Sequence, residues 1–175
     1  MKREKLEAIF FDASGTLFRE DSEFGRGVSV FSDAELVLEC LRKREFAGRK
    51  LRTGLITNWS RRVHHVLESV HMSECFDVVV CVDDVQNGKP NAEPFVLAAT
   101  SLGVDVSRCV HVGDSLRDDV FGAFDAGLDC LWINRRERHL SMQELRMFQS
   151  IGHPHFLDLD EAREYLEQLI CQGVR

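Results

Sequence analysis

Five short apolar runs constrain this chain more than any other feature: "AIFF" (8–11), "LRTGLIT" (51–57), "FDVVVCV" (76–82), "CVHVG" (109–113) and "CLWIN" (130–134). They are rich in Val, Ile and Phe and lack clean alternation, as expected of strands buried on both faces of a parallel sheet. Helical patterns separate them. "SDAELVLECLRKR" opens with Ser32 and Glu35 at capping-box spacing, and "SRRVHHVLESVHM" opens at Ser60, a candidate cap. "NAEPFVLAATSLG" carries Pro94 in its first turn and ends at Gly103, and "SLRDDVFGAFDAGL" follows the fourth run. A further helical stretch, "HLSMQELRMFQSIG", precedes a short strand-like "HFLDL" and a closing amphipathic "DEAREYLEQLICQ". Strand and helix alternate throughout, which predicts a doubly wound α/β layer with right-handed crossovers and helices on both faces. Without repeats or a Pro/Gly/Ser linker, residues 1–175 read as one domain.

In such folds ligands sit at the carboxyl ends of the strands. Polar residues occupy those positions in four places. Asp12 ends the first run and is followed by a Ser-Gly-Thr turn; its carboxylate can attack phosphorus or carbon, hold a metal, or simply cap the next element. Thr57 and Asn58 end the second run, where a hydroxyl and an amide before a helix make an anion cradle or an ordinary turn. Lys89 lies in "NGKPNAEP" before Pro90; aimed into a cluster of carboxylates it neutralises them and binds phosphate oxygens, and aimed outward it is a surface lysine. In "HVGDSLRDDV" Asp114 ends a strand and Asp118 and Asp119 follow. Such oxygens suit a hard cation such as Mg²⁺; the other reading places acids in a helix's first turn, complementing its dipole.

"FFDASGTLF", "LITN", "GKP" and "VGDSLRDDVFGAFDAG", in this order, resemble the haloacid dehalogenase (HAD) superfamily of aspartate-nucleophile hydrolases over roughly residues 8–134. The resemblance implies the Rossmannoid sheet of that family and a phosphatase-like activity. It makes Asp12 the nucleophile that forms a phosphoaspartate. Mg²⁺ is then held by Asp12, the backbone carbonyl of Ser14 and Asp114, with Asp119 or Asp118 holding metal-bound water. Thr57, the Asn58 amide and Lys89 grip the transferring phosphoryl group. The chemistry agrees, because phosphoryl transfer needs an in-line nucleophile and charge neutralisation.

Two departures stand out. The usual phosphatase pattern has a second aspartate where Ser14 stands, and a serine hydroxyl cannot act as an acid and base near pH 7. Three answers are open: a substrate whose leaving group needs little protonation, such as an acyl or aryl phosphate; another group, with His64 and His65 as candidates that read equally as exposed helix histidines; or a slow or inactive domain that binds a phospho-ligand or protein partner. The family includes P-type ATPases, phosphonate hydrolases and dehalogenases that lack this acid. Dehalogenases need no metal and their fourth motif differs, so "GDSLRDD" favours the magnesium phosphatases. The second departure is length: residues 13–56 leave no room for the helical cap domain many relatives insert there, and nothing similar fits between Thr57 and Lys89. An open crevice suits a bulky phosphorylated molecule, or a small one enclosed by a neighbouring subunit in a homo-oligomer; Trp59, Arg61 and Arg62 either border it or are ordinary helix-surface residues.

Composition fits this reading. A net charge of −7 argues against a nucleic-acid or anionic-membrane footprint. No apolar run approaches the roughly 18 residues of a membrane span, and "MKREKLEAIFFD" lacks a leader's small-residue cleavage site. The six cysteines, Cys40, Cys75, Cys81, Cys109, Cys130 and Cys171, form no CxxC pair and read as free thiols of a reducing cytoplasm.

Overall fold

The computed structural model describes residues 6–21, 27–43, 45–46, 49–135, 140–152 and 154–172. Six parallel strands form the central sheet: β1 (Ala8–Phe11), β6 (Arg52–Ile56), β7 (Val78–Val80), β8 (Cys109–Gly113), β9 (Asp129–Ile133) and β10 (His155–Phe156). Their order is β10-β9-β8-β1-β6-β7. Between β1 and β6 lie an antiparallel hairpin, β2 (Phe18–Asp21) and β3 (Gly27–Val30), then α1 (Ala34–Lys43) and a second two-stranded ladder, β4 (Glu45–Phe46) and β5 (Arg49–Lys50). The remaining helices are α2 (Arg62–Ser69), α3 (Glu93–Leu102), α4 (Gly122–Ala126), α5 (Met142–Ile151) and α6 (Leu159–Gln172).

Strands covered on both sides explain why the apolar runs show no polar alternation. In β1, Ile9 and Phe11 join one core while Ala8 and Phe10 join the other. β9 divides the same way, with Leu131 and Ile133 opposed to Cys130 and Trp132. The period of two therefore sorts residues between two apolar layers rather than between core and water. The first layer takes Ala34 and Val37 of α1, Val63 and Leu67 of α2, and a stripe of Leu159, Ala162, Leu166 and Ile170 from α6. The second takes Phe95, Ala98 and Ala99 of α3, Ala123 of α4 and Phe148 of α5. The stripe on α6 has the spacing of an amphipathic helix with one buried face.

Several expectations are met closely. β1 and β8 span the runs read from sequence, Pro94 sits in the first turn of α3, and Gly103 ends it in the left-handed region. Ser60 does not cap α2. The helix begins one residue past Arg61, which makes no side-chain cap; the Arg61 amide instead donates to Asp83 Oδ2 at 2.7 Å. A carboxylate from a distant loop thus serves where a local hydroxyl was expected. The segment after β8 is also less regular than its pattern suggests. Leu116–Phe121 winds as a π-helix before α4, with Ser115 Oγ accepting from the Asp118 amide at 3.1 Å. The hairpin β2–β3 carries no alternating pattern strong enough to read from sequence. The side chains of Glu35 and Cys171, and the start of "MKREKLEAIFFD", lie outside the described residues. The other five cysteines are in no disulfide, and among the described residues no helix is long and apolar enough to cross a membrane.

Leu166 is 1 % exposed and Leu157 is 47 % exposed. Leu166→Ala should cost about 2–5 kcal/mol, seen as a lowered urea midpoint at constant slope. Leu157→Ala should stay within about 0.5 kcal/mol.

Candidate functional site

The chain leaves β1 to build β6 and β7 on one side of it, then returns to build β8, β9 and β10 on the other. Beyond the carboxyl end of β1 a crevice therefore opens. Asp12 follows β1 directly, its amide bonded to Val112 O of β8 at 2.9 Å. Thr57 follows β6, with its amide on Val80 O at 2.9 Å, and Asp114 follows β8. Lys89 arrives from the loop after β7. Asn58 fixes that loop twice: its Oδ1 accepts from the Lys89 amide at 2.8 Å, and its Nδ2 donates to the Lys89 carbonyl at 2.9 Å.

The Lys89 ammonium has three donors, and all have partners. They go to Asp12 Oδ1 at 2.6 Å, Asp119 Oδ1 at 2.6 Å and the Ile56 carbonyl at 2.9 Å. Asp119 is equally well satisfied: its Oδ1 also meets His111 Nε2 at 2.9 Å, and its Oδ2 accepts from the Ser115 amide at 2.9 Å. Gly113 allows this, because a Cβ there would stand 2.2 Å from Asp119 Cγ.

One cation lies between two buried carboxylates, and a third, Asp114, stands beside them. Oxygens of Asp12, Asp114 and Asp119 lie within 4.8 Å of one another. Burial works against ionisation of Asp119, but Lys89 and His111 overcome it and hold its pKa well below the usual range. Burial also disfavours the charged form of Lys89, yet its two carboxylates hold it protonated. Asp12 is left with the surplus. Burial, together with the charges of Asp119 and Asp114, pushes it up to about 7 against the opposing pull of Lys89. Burial lowers the pKa of His111 and keeps it neutral; facing an ionised Asp119, its Nε2 carries the proton and donates. A set of hard oxygen donors carrying more negative charge than its lysine neutralises fits a divalent cation.

Four of the residues singled out in the sequence, Asp12, Lys89, Asp114 and Asp119, thus converge. Asp118 is not in the carboxylate cluster. Thr57 is buried, and its Oγ1 accepts from the Trp59 amide at 3.1 Å. The Asn58 side chain faces the Lys89 backbone rather than the carboxylates. Ser14 lies in a tight turn, bridged to Phe18. Gly15 has φ +80°, and a Cβ on it would stand 2.2 Å from Asp114 Oδ2, so the turn abuts that carboxylate. Trp59 stacks on Phe18 with centroids 6.1 Å apart. Arg61 is directed to Asp84 at 3.2 Å, and Arg62 is exposed. His64 and His65 lie exposed on α2, with His65 Nδ1 3.6 Å from Glu68. His111 was missed from sequence; the available signal was a lone histidine inside the apolar run "CVHVG".

Residues 26–127 match the haloacid dehalogenase-like hydrolase family. Phosphoglycolate phosphatase of Salmonella paratyphi A is 44 % identical over 78 residues, 44 % of this chain and 31 % of that protein. Pyrimidine 5'-nucleotidase of Escherichia coli is 35 % identical over 121 residues, 68 % of this chain and 49 % of that protein. The chain thus spans a third to a half of the length of these relatives. A HAD phosphatase from Thermococcus onnurineus superposes with a TM-score of 0.74 at 22 % identity, over 92 % of this chain and 98 % of that one. A 2-haloacid dehalogenase from Pseudomonas syringae gives 0.71 at 19 %, over 93 % and 99 %. At these identities the likeness is one of fold.

The raised Asp12 has a stability consequence. Its folded pKa of about 7 lies above the unfolded value, so the folded state holds the extra proton between them. Its contribution to stability is complete below about pH 4 and is lost as pH rises through 7. Without divalent cations, Asp12→Asn should melt above the wild type at pH 8, and the difference should shrink toward pH 5. Melting curves in EDTA at both values check this.

Proposed function

Since this chain belongs to the haloacid dehalogenase-like hydrolases, we propose that it is a Mg²⁺-dependent phosphohydrolase or phosphotransferase acting through an aspartyl phosphate on Asp12. The observation that carries the reading is the Lys89 ammonium bonded to both Asp12 and Asp119 beside Asp114. In the first step an Asp12 oxygen forms a bond to phosphorus as the bond to the leaving oxygen breaks. In the second, water (or an acceptor alcohol) takes the phosphoryl group and Asp12 regains its carboxylate. Lys89 orients Asp12 through Oδ1 and offsets charge as it develops. Asp119 and the Asn58 clamp keep Lys89 in place, and Thr57 with the Asn58 amide flanks the phosphoryl position. Asp12, the Ser14 carbonyl, Asp114 and Asp119 are the groups that would hold Mg²⁺, which when bound supplies positive charge to the phosphoryl oxygens.

In this reading Ser14 sets the range of substrates. A leaving group that departs without a proton, as from an acyl or aryl phosphate, suits a site with a hydroxyl at that position. The chain works as one capless, cytoplasmic domain whose open crevice admits a bulky phosphorylated molecule, or a small one closed off by a second subunit. Phosphatases among its relatives support a small phosphorylated substrate. Ser14 also favours a second reading, a domain that holds a phospho-ligand or protein partner without turning it over.

Turnover of an acyl phosphate, an aryl phosphate and a sugar phosphate with Mg²⁺ separates the two. The wild type should cleave the first two, Asp12→Asn should be silent on all three, and Ser14→Asp should gain about 10²-fold or more on the sugar phosphate. Silence of the wild type and of Ser14→Asp on every ester would replace catalysis with binding.

A further inference from the structure

The carboxyl end of β9 sends two side chains toward the site. Trp132, 2 % exposed, donates Nε1–H to the Asp114 carbonyl at 2.9 Å. Arg135, just beyond the strand, donates Nε–H to the Gly15 carbonyl at 3.1 Å and Nη2–H to the Thr16 carbonyl at 2.8 Å. Its Nη1 pairs with Asp33 Oδ2, and that oxygen also accepts from the Leu159 amide at 2.8 Å. The guanidinium lies 4.0 Å from the Phe31 ring centroid. One side chain thus joins the turn after β1, the approach to α1 and the start of α6.

The turn needs such an anchor. Its internal bonds use the amides of Gly15, Leu17 and Phe18, which donate to Phe18 O and Ala13 O. The carbonyls of Gly15 and Thr16 turn outward and take their donors from Arg135. A planar fork with five N–H groups in fixed geometry can serve two adjacent carbonyls and a carboxylate together; a lysine presents a point charge instead. The same turn abuts Asp114, whose main chain is held by Trp132 from the same strand end.

We propose that Arg135 is a positioning residue, fixing the turn that carries Ser14 against Asp114, with Trp132 securing the Asp114 side. The inference rests on the phosphotransfer reading of this site. Arg135 acts through the turn, so its removal changes rate more than substrate affinity.

The test compares wild type, Arg135→Lys and Arg135→Met. Amide hydrogen exchange over residues 13–18 is read without metal, with β8 as internal reference. Turnover of an aryl phosphate is then read against substrate and Mg²⁺ concentration. In Arg135→Met, exchange of the turn should rise about 10-fold or more while β8 is unchanged, and kcat should fall about 10–100-fold with KM little altered. Arg135→Lys should recover part of the rate, because it restores charge but not the fork. Unchanged exchange in the turn overturns the proposal, as does a loosened turn with wild-type kcat and Mg²⁺ dependence, which marks a purely structural role. A wild type that neither cleaves the ester nor responds to Mg²⁺ sinks the phosphotransfer reading, and the catalytic consequence of Arg135 with it. An active wild type beside an unaltered Arg135→Met sinks this inference alone.

Discussion

The Lys89 side chain is 2 % exposed, and its ammonium makes 2.6 Å contacts with two carboxylates. Taking a charge out of water costs several kcal/mol, so a buried ammonium persists only where every proton finds an acceptor. The acceptors here come from three elements: Asp12 after β1, Ile56 at the end of β6 and Asp119 in the π-helix after β8. The central strands must therefore be in register before the lysine can be buried. Asn58 extends the constraint to the loop after β7. The arrangement remains unbalanced: two buried acids share one cation, and Asp12 bears the imbalance. The property that makes the cluster receptive to a cation is the one that makes it uncomfortable without one.

Much of this was legible because each chemical group sits at the end of a strand that announces itself. An apolar run ending in Asp12, or in Gly113-Asp114, marks both a strand and the residue it delivers to the crevice. The helix over 93–102 was legible because its proline and glycine act locally. What escaped depends on contacts between distant parts of the chain. Asp83 serves the Arg61 amide from another loop, so Ser60 is not needed as a cap. The hairpin β2–β3 pairs the largely charged "FRED" with "GVSV", so no apolar run announces it. Arg135 follows a strand in a run of charged residues and reads as surface until the Gly15 and Thr16 carbonyls are placed beside it. His111 was visible as an oddity, a polar residue in a buried strand, without the partner that explains it.

Ser14 sits within this frame rather than apart from it. The turn that bears it is held by Gly15, by its contact with Asp114 and by the donors of Arg135, all independent of the side chain at position 14. In the proposed reading the metal site draws on the main chain of this turn and the acid on the side chain at position 14, so the two are separable.

The strand order also bears on how the protein is made. β1 pairs with β6 along Ala8↔Arg52 and with β8 along Ala8↔Cys109. During synthesis the first partner is available soon after β1 leaves the ribosome, but the second is not made until roughly twice as much chain has emerged. In that interval one edge of an entirely apolar strand has no neighbour, a state prone to pairing with other chains. The residue that performs the proposed chemistry therefore directly follows the strand that waits longest for its second neighbour. Nascent chains stalled before β8 should be the ones most dependent on chaperones.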